Sequence, residues 1–249
     1  MHRGNFKITE ELETLEALDE CAVLSQSGSS LALRFSRGAD LAVDATFAIE
    51  EGRLVARFAA AAGEPNRFLI SLPAAVSEHV YGCGEQFSYL DLRGHDFPLW
   101  TSEQGVGRNK GTRITRLADA DDGAGGDYYW TFFPQTSFVS SAGYWCHLDT
   151  SAYADFDFRA DDRHDLYSWA IPERLVIGGA DTMRDLVSDL SAYFGRQGEL
   201  PDWCYDGAIL GVQGGTAVCR EKLAAAQKAG VKVAGLWAQD WEGINMLPP

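Results

Sequence analysis

Apolar and polar positions alternate through much of the first half of the chain. Leu31, Leu33 and Phe35 are separated by smaller or polar residues, and Leu41, Val43, Ala45, Phe47 and Ile49 repeat the pattern. A period of two places one set of side chains on one face of a strand. Glu50-Glu51-Gly52 reads as a turn, and Arg53 to Phe58 as the return strand of a hairpin. Phe68, Ile70 and Leu72 alternate before Pro73, and further strands are expected at Ser137–Ser140, Tyr144–Leu148, Ala154–Phe158, Leu166–Trp169 and Arg174–Ile177. Many short strands separated by turn residues predict a β-sandwich. Leu12 to Ser25 admits two readings: its glutamates favour helix, whereas Ala22-Val23-Leu24 fits the end of a strand. Tyr81 to Lys110 and Asp119 to Asp127 are Gly-rich and read as long loops, which in compact domains tend to carry function.

The pattern changes near Ala180. Met183, Leu186, Val187, Leu190 and Phe194 follow helical spacing, with Asp181 or Thr182 to cap the start and Gly195 to stop it. Gly207 to Val212 then reads as an apolar strand. Gly214-Gly215-Thr216 opens a helix from about Ala217 to Ala229, with Thr216 as its cap, and Val231 to Ala238 is a second strand. Strand, helix and strand joined in this way form a βαβ unit with parallel strands. The expected organisation is a sandwich over 1–180, a linker helix over 181–200 and a new domain from 201 to 249. Parallel strands are normally covered on both faces. A closed eight-stranded βα barrel takes about 250 residues, and 49 follow Leu200. The expectation is one domain followed by the beginning of another.

The 249 residues are 46% hydrophobic and 23% charged, enough apolar content to build a core. Asp plus Glu outnumber Lys plus Arg by 36 to 21, a net charge of −15. Such a chain repels a phosphate backbone and an anionic lipid surface, so nucleic-acid binding and membrane docking are not expected. No apolar run approaches the roughly 18–20 residues of a spanning helix, and Met1 to Phe6 has no signal-peptide core. Cys21, Cys83, Cys146, Cys204 and Cys219 are odd in number and widely spaced, without Cys-x-x-Cys; they read as reduced thiols of a cytoplasmic protein. The five histidines are equally scattered, so neither metal nor cofactor is expected.

Several segments carry candidate chemistry. Gly211-Val212-Gln213-Gly214-Gly215-Thr216 lies between strand and helix, where an anion or hydroxyl can bind, but it matches neither the dinucleotide fingerprint nor a P-loop. It is either a tight structural turn or a substrate contact through Gln213. Trp237-Ala238-Gln239-Asp240-Trp241 ends the second parallel strand. Its rings and polar tips suit a sugar, or else two core tryptophans beside a capping Asp240. Tyr81 to Gln86 and Trp100 to Arg108 are dense in glycine, amides and carboxylates, and are read as ligand loops or structural turns alike. Cys83 near His79 lacks the third partner of a thiol nucleophile. Asp119 to Gly123 fails the spacing of a calcium loop and reads as a solvated acidic turn. The aromatic run Tyr128 to Phe133 reads as packing, with a sugar platform as the alternative.

Tyr81-Gly-Cys-Gly-Glu-Gln-Phe87, Asp91-Leu-Arg-Gly94, Phe97 to Lys110, Gly125 to Gln135, Leu200-Pro-Asp-Trp203 and Trp237-Ala-Gln-Asp-Trp241 together resemble glycoside hydrolase family 31, most closely its sulfoquinovosidase branch. The resemblance runs from about Arg3 to Asn245. It implies a galactose-mutarotase-like N-terminal β-sandwich, a strand reading for Leu12–Ser25, and the first βαβ of a catalytic (β/α)8 barrel from about Pro201. It also implies retaining hydrolysis of α-glycosides, with release of sulfoquinovose from sulfoquinovosyl glycerol lipids, and a small glycoside as the binding partner. Gln213 and Gln239 match barrel glutamines that contact sugar hydroxyls; Glu103 and Gln104 match a sandwich loop that reaches the pocket, and Asp240 lies beside Gln239. In the family the nucleophile, the acid/base and the sulfonate-binding residues lie on later barrel strands, beyond Pro249. The resemblance therefore implies a piece short at both ends and without hydrolase activity of its own. An α-glucosidase or α-xylosidase parent and a stand-alone carbohydrate-binding sandwich are the alternatives.

Overall fold

The computed structural model describes residues 8–121 and 123–238. The chain divides into two compact units, with the break between Phe194 and Gly195.

The first unit is built from two antiparallel sheets. The larger contains β1 (Glu20–Ser27), β2 (Ser30–Arg37), β3 (Leu41–Glu50), β4 (Arg53–Ala62), β6 (Val80–Gly84), β8 (Pro134–Ser140), β9 (Tyr144–Asp149) and β12 (Arg174–Gly179). The smaller contains β5 (Phe68–Pro73), β7 (Asp96–Leu99), β10 (Ala154–Asp157) and β11 (Arg163–Ser168). Strand order is β1-β2-β3-β4-β12-β9-β8-β6 in the larger sheet and β5-β11-β10-β7 in the smaller. Leu12–Ser25 resolves as strand from Glu20 onward, and residues 8–19 form no regular element. Two strands lie inside the stretch read from sequence as one long loop. Glycines disguise β6. The other, β7, is only four residues long and carries Pro98, which its edge position tolerates because no ladder donor is needed there.

The main core lies between the sheets. Phe138, Cys146, Leu148 and Leu175 from the larger sheet meet Phe97, Phe156 and Leu166 from the smaller, together with Leu92 and Phe158. The alternation read from sequence has a direct physical meaning on β9. Cys146 and Leu148 enter this core, while Trp145 faces the opposite side. There Trp145, Val55, Val139 and Val176 pack against Leu186 of helix α2 (Met183–Phe194). Thr182 Oγ1 accepts from the Asp185 amide at 3.2 Å, and Gly195 leaves the helix at φ +83°. Asp189 of α2 accepts from Trp145 Nε1 at 2.8 Å and from Arg53 Nη2 at 2.7 Å. A Cβ at Gly178 would collide with the Trp145 indole, so glycine is needed for the ring to lie across β12. Thus α2 belongs to the first unit and holds its outer sheet face.

A polar cluster bridges the two sheets. Glu78 Oε1 accepts from Ser140 Oγ at 2.5 Å, Tyr144 OH at 3.0 Å and His164 Nε2 at 3.0 Å, and Oε2 accepts from the Ala75 amide at 2.9 Å. Burial by itself would raise the Glu78 pKa, but these donors outweigh it and hold the carboxyl below its ordinary range. A buried carboxylate persists here because nearly every lone pair has a donor.

In the second unit a 3-10 turn (Asp202–Tyr205) precedes β13 (Ala208–Val212), helix α3 (Gly215–Lys228) and β14 (Val233–Ala238). The strands pair in parallel, Leu210 opposite Leu236 and Val212 opposite Ala238. Thr216 does not cap α3. Gly214 occupies the cap position in the left-handed region at φ +105°, and Thr216 lies inside the first turn. The chain must reverse sharply between β13 and the helix, and only glycine adopts that backbone without strain.

Candidate functional site

The candidate loop leaves the smaller sheet at Leu99, where β7 ends. Two isolated parallel bridges hold it against the segment that precedes β8: Thr101 pairs with Thr131, and Val106 with Gly125. The Ser102 amide donates to Thr131 O at 3.0 Å, the Val106 amide to Ala124 O at 2.8 Å, and the Gly126 amide to Val106 O at 3.2 Å. Glycine is essential to this clamp. A Cβ on Gly126 would strike the carbonyls of Gln104 and Gly107, and Gly105 and Gly107 turn at positive φ.

Side chains fix the far end of the loop. Arg108 Nη1 donates to Trp130 O at 2.6 Å and Asp127 O at 3.3 Å, and its guanidinium lies 4.6 Å from the Phe87 ring centre. Burial lowers the Arg108 pKa, a cost met by these carbonyls. Lys110 binds Asp119 Oδ1 at 3.1 Å and Gly125 O at 3.2 Å. Asp119 closes helix α1 (Arg113–Ala120), which sequence reading missed. Its one sequence sign was Thr112, whose hydroxyl accepts from the Thr115 amide. The acidic stretch is therefore the end of a helix tied to a lysine, and no group of three or more metal-ligating side chains occurs among the described residues. Asp122 lies outside them.

Between the two bridges the loop presents Glu103, exposed, and Gln104, half-buried. Neither side chain makes a hydrogen bond to another described residue. A carboxylate and an amide on a clamped backbone can accept from and donate to neighbouring hydroxyls without first breaking internal bonds.

The other loop is a structural turn. Gly82, Cys83 and Gly84 all have positive φ, at +129°, +59° and +84°. They form a bulge that brings β6 close to β8, where a Cβ on Gly84 would meet Phe133 O. The Cys83 thiol is fully buried, and burial pushes its pKa far up, so it cannot act as a nucleophile. Gln86 Nε2 donates to Cys83 O at 2.9 Å, which closes the turn. In the aromatic run, Tyr128 and Tyr129 pack against the main core, and Tyr128 OH donates to Asp96 O at 3.0 Å. Phe132 and Phe133 are exposed.

In the second unit Gln213 directly follows β13 and is exposed, and Trp237 is exposed near the end of β14. Gln239, Asp240 and Trp241 lie outside the described residues. The structure thus brings Glu103 and Gln104 together on one loop of the first unit and places Gln213 on the turn before α3. All five cysteines are free, and no helix among the described residues is long and apolar enough to cross a membrane.

No protein-family model matches the chain. Curated relatives do. The chain is 52% identical over 247 residues to the sulfoquinovosidase of Escherichia coli strain K12, covering 99% of this chain and 36% of that protein. It is 44% identical over 245 residues to the sulfoquinovosidase of Agrobacterium fabrum strain C58, covering 98% and 36%. Among solved structures it is similar to a family 31 sulfoquinovosidase from E. rectale in complex with an aza-sugar inhibitor, with a TM-score of 0.79 and 43% identity. That match covers 98% of this chain and 36% of the other. The chain therefore spans about a third of the length of the relatives it matches. Along nearly its whole length the chain is thus similar to about a third of each of these sulfoquinovosidases, one of them a glycoside hydrolase family 31 enzyme of known structure.

Proposed function

We propose that the chain is the sandwich and first barrel unit of a retaining α-glycosidase that releases sulfoquinovose from α-sulfoquinovosyl glycerol or its diacyl lipid. The observation that carries this reading is the 52% identity to the E. coli sulfoquinovosidase over 247 residues. The first unit would be the galactose-mutarotase-like sandwich, and β13-α3-β14 the opening of a (β/α)8 barrel, whose active face lies at the C-terminal ends of its strands. Gln213 and Gln239 would follow the first two barrel strands and take sugar hydroxyls, with Asp240 beside them. Glu103 and Gln104 would reach the same sugar from the clamped loop. Retention requires two carboxylates about 5–5.5 Å apart, a nucleophile and an acid whose pKa is raised. We assign neither role within these 249 residues and expect no turnover from this chain alone. A cytoplasmic location is in keeping with its free thiols.

A chimera tests the reading. The matching third of the E. coli sulfoquinovosidase is replaced by this chain, and hydrolysis of 4-nitrophenyl α-sulfoquinovoside is compared with that of the α-glucoside. The expected result is activity on the sulfo-sugar only, and a fall of about 10-fold or more in kcat/KM on Gln213→Ala, since a lost substrate hydrogen bond costs about 1–3 kcal/mol. A soluble, folded chimera that prefers the glucoside points to an α-glucosidase parent. Turnover by the 249-residue chain itself would overturn the assignment of catalysis to residues outside it.

A further inference from the structure

A cleft of about 510 Å³ lies on the first unit, where β7 has ended, β8 begins and β9 runs out. Its volume is in the range of small-molecule sites. Its apolar surface comes from the half-buried indole of Trp100 and the ring of Phe194, the latter 4.9 Å from the His147 ring.

The polar side chains of the cleft fall into two groups. Some are already engaged. Thr136 Oγ1 donates to Leu148 O at 2.6 Å, and Thr150 Oγ1 accepts from the Ala152 amide at 3.2 Å while lying 3.3 Å from Ser168 Oγ. These groups shape the wall. Three others have no hydrogen bond to a described residue: the Thr101 hydroxyl, the Gln135 amide and the Ser151 hydroxyl. Two hydroxyls and an amide beside aromatic faces match a pyranose. The rings cover its C–H face, while the hydroxyls and the amide both donate to and accept from its hydroxyls.

Charge narrows the ligand further. The one acidic side chain of the cleft is Asp149, whose Oδ2 accepts from Arg174 Nε at 2.9 Å. His147 Nε2 lies 4.0 Å from Asp149 Oδ1, and burial lowers the His147 pKa, so the imidazole is neutral at pH 7. Among the described residues lining the cleft there is no lysine or arginine. A sulfonate or phosphate would meet the Asp149 carboxylate with no lysine or arginine in the lining to pair it, Arg174 being already engaged by Asp149, whereas a neutral sugar hydroxyl can donate to Asp149 Oδ1.

We propose that this cleft binds one pyranose ring of an uncharged saccharide, with Trp100 as the platform and Thr101, Gln135 and Ser151 as the hydroxyl-reading groups. It uses none of Glu103, Gln104 and Gln213 and stands whether or not the sulfo-sugar reading holds.

The test uses the full 249-residue chain, with methyl α-D-glucopyranoside and isomaltose as probes. Binding is followed by saturation-transfer NMR and calorimetry, with methyl α-sulfoquinovoside as competitor. The expected result is saturable millimolar binding of the neutral sugars. Gln135→Ala should weaken it about 5-fold, one hydrogen bond's worth, and Trp100→Ala about 10-fold or more. Ser29→Ala, on the exposed turn between β1 and β2 and outside both the cleft and the candidate loop, should leave it unchanged. Because Trp100→Ala can disturb the fold, Gln135→Ala and Ser151→Ala on the cleft surface carry the decision. No saturable binding, binding unaffected by Gln135→Ala, or equal displacement by the sulfo-sugar would each overturn the proposal. Failure of the sulfoquinovosidase reading would appear separately, in the chimera.

Discussion

The two units of the chain handle apolar surface in opposite ways. The first encloses it: Phe97, Phe138, Phe156, Phe158 and Trp145 are fully buried, some between the sheets and Trp145 beneath α2. In the second unit Val212 is the only buried apolar side chain among the described residues. Trp203, Tyr205, Ile209, Leu236 and Trp237 remain exposed, and α3 has no buried residue. Both units have regular hydrogen-bonded secondary structure, so the contrast isolates packing as the variable. Backbone pairing fixes the shape of a βαβ unit, but its stability comes from surface removed from water at about 25 cal/mol per Å². The sandwich carries its own stabilisation, whereas the described part of the second unit requires a covering surface.

Amide exchange is the strongest way to break this comparison. Exchange measures local opening free energy, which spans from near zero to the global value within one protein. The amides of β9 and β12 should be protected at least about 1,000-fold more than those of β13 and β14, a difference of about 4 kcal/mol. Equal protection of both pairs in the monomeric chain would show that the second unit is stabilised as fully as the first.

Truncation of matched side chains sharpens the contrast. Phe138 is fully buried and its ring meets Phe158 at 5.3 Å, His164 at 5.6 Å and Tyr144 at 5.9 Å. Phe138→Ala leaves a cavity in the main core and should cost about 3–5 kcal/mol of sandwich stability in urea titration. Ile209→Ala removes an exposed side chain from β13 and should cost below about 1 kcal/mol. A large loss at Ile209 would mean that its surface is covered in solution.

The same contrast explains which parts were legible in the sequence. Strands with an enclosed face announced themselves, because burial of one face imposes alternation, as at Leu41–Ile49 and Tyr144–Leu148. Helix α2 was placed at Met183–Phe194 by its apolar spacing and its Thr182 and Gly195 ends. The bulged β6 was hidden because its close approach to β8 demands glycine, the residue that otherwise signals a loop. Helix α1 was hidden because its four apolar residues among eight stay unburied and only Thr115 is buried. For the candidate site, composition drew attention to the Trp100–Arg108 loop. The particular choice of Glu103 and Gln104 came from resemblance, since free side chains on a clamp formed with residues 124–131 leave no periodic trace.

The smallest predicted effect concerns charge within the better-packed unit. Asp155 lies on β10, and its side chain has no hydrogen bond to a described residue. Burial, then the nearby Asp96 and Asp157, raise its pKa from 3.8 to about 6, with Arg159 acting in the opposite direction. The folded state therefore binds this proton more tightly than the unfolded chain does. Below pH 3.8 the group is protonated in both states and has no effect. As pH rises toward 6 the unfolded chain loses the proton first, and stability falls; above about 6 the full penalty is present. Asp155→Asn removes the charge with little change of shape. It should stabilise the sandwich by on the order of 1 kcal/mol at pH 7.5 and leave it unchanged near pH 3.5. The gain should appear as slower exchange in β9 and β12, while β13 and β14 keep their wild-type rates. A gain of equal size at both pH values would assign the effect to shape rather than charge, and a gain shared by β13 and β14 would show that the two units unfold as one.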